Sequence, residues 1–159
     1  KAICKRYKYS TRHTSYIHFI VRHHTQPHSL YAAEQNKTLT PKDLTLFFME
    51  CTDRIPDLML HAIAEMKSKS GRGTPEGQAF LDFAVHVLQN DFAQFKSKAS
   101  TPPPISGHDL IHALGLKPSP LFKAILRFIE EEHLSGKKMN RADALRLAKK
   151  YLNNHQVPK

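Results

Sequence analysis

The stretch Thr101-Pro102-Pro103-Pro104-Ile105-Ser106 limits the fold of this chain more than any other. Three prolines in a row supply no backbone N–H and hold φ near −65°, so they exclude a helix interior and a central strand. They favour a stiff, extended connection instead. The break separates a longer first part, residues 1–100, from a shorter second part, residues 101–159.

On both sides of the break the punctuation is that of helices. Thr40-Pro41 and Thr74-Pro75 each place a hydroxyl at a candidate N-cap and proline at the first helical position. Ser10 and Asn140 are further N-cap candidates, and Gly71, Gly115 and Gly136 are candidate stops. Apolar residues recur every three to four positions. Examples are Tyr16, Ile17, Ile20 and Val21; Leu44, Phe47, Phe48 and Cys51; Leu58, Ala62 and Met66, beside Leu60 and Ile63; and Phe80, Phe83, Val87, Leu88, Phe92 and Phe95. No segment alternates with period two for long enough to be a strand. The expected fold class is all-α, with a helical body over residues 1–100 and a small three-helix tail over 101–159.

Cys4 and Cys51 stand 47 positions apart without a Cys-x-x-Cys partner, which argues against a disulfide framework or a thiolate zinc site. A reducing, cytoplasmic setting is the simplest expectation. No apolar run approaches the ~18 residues of a transmembrane helix, and no apolar signal region follows the basic start. Beginning at Lys1 rather than Met, the chain reads as a piece of something longer.

The formal charge of +10 is uneven. Residues 1–40 carry seven Lys/Arg against one acid, residues 41–100 seven against eight, and residues 101–159 ten against five. Two basic ends flanking a near-neutral middle favour a polyanionic partner such as nucleic acid.

Catalytic signatures are missing. There is no phosphate-binding Gly-x-x-x-x-Gly-Lys-Ser/Thr loop. No Asp-x-Asp pair stands ready for two metal ions. The glycines of Gly71-Arg72-Gly73-Thr74-Pro75-Glu76-Gly77 follow a helix rather than a strand and read as a turn. Glu130-Glu131-Glu132 reads as solvated helix surface, and Cys4 as an inert thiol in a loose N-terminus. Five of eleven histidines, His13, His18, His23, His24 and His28, fall within residues 13–28, where no acid precedes Glu34 to complete a mixed metal site. They read as surface or packing residues. His108-Asp109 with His112 has the look of a metal site, but Asp109 also suits the first turn of a helix. Leu110, Ile111 and Leu114 would then pack inward, leaving the two histidines on the outer face. No metal ligand is expected.

The tail, from Ile105 to Leu152, resembles the C-terminal tail of bacterial tRNA nucleotidyltransferases (CCA-adding enzymes) and their poly(A) polymerase relatives. Gly107, Asp109, Leu110, Gly115, Pro118, Pro120, Leu126 and Gly136 follow that family's pattern in order. Ser119 and Lys123 depart from it, since the family usually has glycine at both positions. In the first part, His24, Pro27 and Leu30 are similar to the family's His-x-x-Pro-x-x-Leu. "MLHAIAEMKSKSG" is similar to its Leu-x-x-Ala-Asp-x-x-Ala-x-x-Gly helix, with Glu65 for the Asp and Ser68 for the small Ala.

The resemblance implies that the catalytic head domain, with its carboxylates, and the neck that reads CTP or ATP belong to the parent outside this chain. Mg and CTP or ATP are then expected for the full-length parent, and no cofactor and no catalytic residue here. The expected partners are tRNA or another structured RNA and the parent's own N-terminal head, and no membrane. Some family members carry a metal-dependent phosphohydrolase domain, and a fragment of that type, or a helical protein-interaction module, is the alternative. Structured RNA is held through phosphates and shape. Lys117, Lys123, Arg127, Lys137, Lys138 and Arg141 are therefore the expected phosphate contacts, with Arg22 and Lys37 behind them. The helix starts expected at Gly107 and Pro118 would add backbone N–H groups.

Overall fold

A computed structural model describes residues 2–70 and 73–154 of the chain. The helix stop read at Gly71 lies outside the described residues. The described residues are helical with no strand among them. The chain divides into two compact units, Lys1–Ala93 and Gln94–Lys159. The division falls seven residues before the break read at the prolines, so the helical turns after Ala93 are grouped with the tail.

The body unit contains α1 (Ala2–Arg6), α2 (Thr11–His23), α3 (Gln26–Gln35), α4 (Pro41–Cys51), a 3₁₀ turn (Thr52–Arg54), α5 (Ile55–Ser70), α6 (Pro75–His86) and a π turn (Val87–Phe92). The caps follow the sequence. The Ser10 hydroxyl accepts the His13 N–H at 3.2 Å, and the Thr74 hydroxyl accepts the Gly77 N–H at 3.2 Å. At Thr40 the cap is reciprocal: its hydroxyl accepts the Asp43 N–H, and its own N–H donates to the Asp43 carboxylate at 2.9 Å. The hydroxyl's bond to that carboxylate holds Asp43 below the usual carboxylate range.

The core of the body is Phe47, Phe48, Cys51, Ile55, Leu58, Met59, Ala62, Phe80, Ala84, Val87 and Phe92. Each large side chain among them contributes about 1.5–3 kcal/mol by leaving water. Two stripes differ from their expected register. Leu60 is 69% exposed and Met59 is buried, because α5 starts at Ile55 and its inner face runs Ile55, Leu58, Met59, Ala62. On α2, Val21 and Tyr16 face outward and His23 is buried in their stead. The expected single helix through Phe80 and Phe95 is interrupted by the π turn. That wider turn places Val87 and Phe92, five residues apart, both in the core. Cys4 is not in a loose terminus: it is a buried residue of α1.

The tail unit contains α7 (Ala93–Ala99), α8 (Gly107–Leu114), α9 (Leu121–Leu134) and α10 (Arg141–Asn154). Its core is Ile105, Leu110, Ile125, Ile129, Ala144 and Ala148, with Leu114, Phe122, Phe128, Leu147 and Tyr151 packed against it. Ile105 caps this core directly after the prolines. Ile111 is turned out, against expectation. Gly115 ends α8 at φ 66°, a left-handed position that an L side chain occupies only under strain. Pro118 is not a helix start. The chain stays irregular through Ser119, and α9 begins at Leu121.

Candidate nucleic-acid interface

The His108-Asp109-His112 group is resolved by where the carboxylate goes. Asp109 Oδ2 accepts the Ser106 backbone N–H at 2.8 Å and the Ser106 hydroxyl at 2.9 Å. Asp109 Oδ1 takes the Arg141 guanidinium at 2.7–2.8 Å. Those bonds, with the Ser106 N–H first, hold the Asp109 carboxyl down at about 2. His108 and His112 meet each other instead, with rings 4.1 Å apart and Nε2 to Nε2 at 3.2 Å. The carboxylate therefore serves the helix start and the link from α8 to α10, not the imidazoles.

This arrangement corrects the expectation for the start of α8. Its N-terminal end already carries its own anion, Asp109, so a phosphate there would meet a carboxylate. The six expected cations divide evenly. Arg141 is clamped to Asp109, Arg127 pairs with Glu131 at 3.2 Å, and Lys137 pairs with Glu132. Glu132 is buried and Glu131 mostly so, which corrects the solvated-surface expectation for two of the three glutamates. Lys117, Lys123 and Lys138 are exposed, and among the described residues none of them meets an ionic partner. Sequence reasoning missed Lys150. It lines a cleft of about 270 Å³ with Phe128, Glu132, Lys137, Leu147 and Tyr151, where Glu132 already pairs with Lys137, and the adjacent Lys149-Lys150 pair was its visible signal.

In the body, Arg22 and Lys37 are both exposed. Lys37 takes a left-handed φ of 56° where α3 ends, and the Thr38 N–H reaches back to Ala33 O and the Lys37 N–H to Glu34 O. The histidines have partners of their own. Buried His23 lies 3.1 Å from Gln26 Oε1, which also accepts the Cys51 thiol at 3.3 Å. The Gln26 amide donates to Glu50. Burial, then Glu50, pushes the Cys51 thiol up to about 12. His24 and His28 are four residues apart but diverge. His24 packs on His61, while His28 stacks on Phe80 and meets Glu65 at 3.2 Å. Glu65, held below the carboxylate range first by Lys69 and then by His28, thereby joins the helices that carry the two body motifs. Among the described residues, no three His, Cys, Asp or Glu side chains converge as metal ligands would. The 430 Å³ cleft between α3 and α4 has Asp43 and Glu50 in its lining, the wrong sign for phosphate.

Residues 1–148 match the family described as tRNA nucleotidyltransferase domain 2. The chain belongs to that family. It is 48% identical over 81 residues to the A-adding tRNA nucleotidyltransferase of Halalkalibacterium halodurans, covering 51% of this chain and 16% of the relative. It is 28% identical over 144 residues to the CC-adding tRNA nucleotidyltransferase of Synechocystis sp., covering 91% of this chain and 31% of the relative. The chain thus spans less than a third of the length of either curated relative. No solved structure matches it. Among the described residues, no helix is long and apolar enough to cross a membrane.

Proposed function

We propose that this chain is the RNA-holding body and tail of a tRNA nucleotidyltransferase, with tRNA as its ligand. It positions the RNA 3′ end for nucleotide addition by a head domain of the same parent. Mg and CTP or ATP act in that head, and this chain supplies grip rather than chemistry. The observation that carries the reading is the set Lys117, Lys123 and Lys138: exposed, without an ionic partner, in a tail of net positive charge. A cation already paired with a carboxylate must give up that pair to take a phosphate, whereas these three lose only water and counterions. Family membership makes tRNA the polyanion of choice.

The test is tRNA affinity across a salt series. The unaltered chain should weaken linearly in log–log form as salt rises. Replacing Lys117, Lys123 and Lys138 by Ala together should flatten the slope by about 2–3. Arg141→Ala should instead lower the tail's melting temperature before it alters the slope. An affinity indifferent to salt, or a triple variant with an unchanged slope, would sink the proposal.

A further inference from the structure

The tail does not hold all of the chain's exposed basic residues. Lys5, Arg6, Lys8, Arg12 and Arg22 fall within the first 33 residues, where no acid occurs. Four of them cluster around the end of α1 and the start of α2, together with exposed aromatic rings. Tyr7 is 65% exposed and Tyr9 is 49% exposed. The two rings lie 6.4 Å apart with a 37° tilt, and His13 stands edge-on to Tyr9 at 6.5 Å. The Arg6 guanidinium sits over the Tyr7 ring at 5.9 Å. Lys5, Lys8 and Arg12 are exposed, without ionic partners among the described residues.

Local backbone fixes this display. The Tyr9 N–H reaches Cys4 O and the Lys8 N–H reaches Lys5 O, closing α1 with Lys8 at a left-handed φ of 54°. Cys4 is buried on the opposite side of the turn and anchors it. The tyrosines are therefore held outward on a fixed turn. Tyr16, by contrast, is tied to Asp57 through its hydroxyl and lies under Arg54.

We propose that Tyr7 and Tyr9, with Lys5, Arg6, Lys8 and Arg12, form a second RNA site that takes unpaired nucleotides: bases stack on the rings and phosphates meet the cations. Aromatic faces interleaved with cations are the chemistry that single strands require, because every base has a π face and every linkage a charge. A protein partner is the poorer occupant, since lysines are depleted from the buried centres of protein interfaces. The inference shares with the proposed function the premise that the ligand is RNA, but it rests on different residues.

The experiment uses the whole chain and two probes, a folded tRNA and a short unstructured RNA oligonucleotide. The chain has no Trp and five Tyr, so the part of its tyrosine emission that is lost in the Tyr7→Ala, Tyr9→Ala pair reports on stacking at the site. The oligonucleotide should bind and quench that emission. Tyr7→Ala with Tyr9→Ala should weaken it by roughly ten- to a hundredfold. The Tyr7→Phe, Tyr9→Phe pair keeps the rings and the packing, so it should bind like the unaltered chain, and circular dichroism checks that both variants fold. Oligonucleotide binding unaffected by the Ala pair, or absent altogether, overturns the second site. So does a Phe pair as weak as the Ala pair. If tRNA binding then still depends on the tail lysines, only this inference falls. If the oligonucleotide binds through the tyrosines while the tail variant leaves the tRNA salt slope unchanged, the inference stands and the proposed function falls.

Discussion

The body and the tail use polar residues differently. In the body, most acids and histidines are spent within the unit. His23, Gln26, Glu50 and Cys51 form one chain of contacts, and His28, Glu65 and Lys69 form another, around a core rich in Phe. In the tail the core is smaller and aliphatic. From residue 101 on, Asp109, Glu131, Glu132 and Asp143 pair with four of the cations, and among the described residues Lys117, Lys123, Lys138, Lys149 and Lys150 show no ion pair. The lesson is that a count of positive charge does not locate an anion site. What locates it is the positive charge remaining after internal pairing.

The comparison can be broken in several places. The largest effect concerns Cys51. With its thiol pushed to about 12 from 9.0, the thiolate fraction near pH 8 falls about a thousandfold. Alkylation at Cys51, followed by peptide mass spectrometry, should be correspondingly slow in the folded chain and normal in denaturant. Fast labelling of the folded chain would mean that the body network is open.

Next come the two cores. Phe80→Ala should cost about 3–5 kcal/mol and Leu110→Ala about 2–5 kcal/mol. Both are fully buried. Urea denaturation gives the magnitude, and amide hydrogen exchange shows where it falls. Each change should raise exchange mainly in its own unit; equal effects in both units would dissolve the division. Smaller is Gly115→Ala, expected to cost about 1–2 kcal/mol through the left-handed backbone alone, since no atom lies within 4 Å of the added carbon.

The pH prediction concerns the tail, through the link between α8 and α10. The folded Asp109 carboxyl is held down at about 2 against 3.8 for a free one, so its contribution is complete above about pH 5 and is lost as pH falls through the folded value. In the acid range the melting temperature of the tail should fall more steeply with Asp109 than in Asp109→Asn. Parallel curves would show that the link to Ser106 and Arg141 is not made. The smallest effect is a gain: Lys37→Gly relieves a left-handed lysine and should stabilise the body by about 0.5–1 kcal/mol in the same denaturation assay.

Much was legible in the sequence. Thr40, Thr74, Ser10 and Asn140 were read as caps, and each is one, because capping depends on residues three positions apart. The helical stripes were readable for the same reason. Their exact inner faces were less so. Leu60, Val21 and Ile111 are outside, while Met59 and His23 are inside, because hydrophobicity alone does not say which side of a helix meets a neighbour. The π turn is legible only in retrospect, from two core residues five apart.

The candidate site shows the limit most clearly. Sequence alone determined the class of chain: all-helical and basic at both ends. These are properties of composition, local spacing and short-range hydrogen bonds, which need no distant partner. Which cations are free was decided by tertiary structure. Arg141 and Asp109 are 32 residues apart, and only the packing of α8 against α10 brings them to 2.7 Å. Charge interactions act through space rather than along the chain. A lysine's availability to an anion is therefore set by the neighbours that the fold gives it.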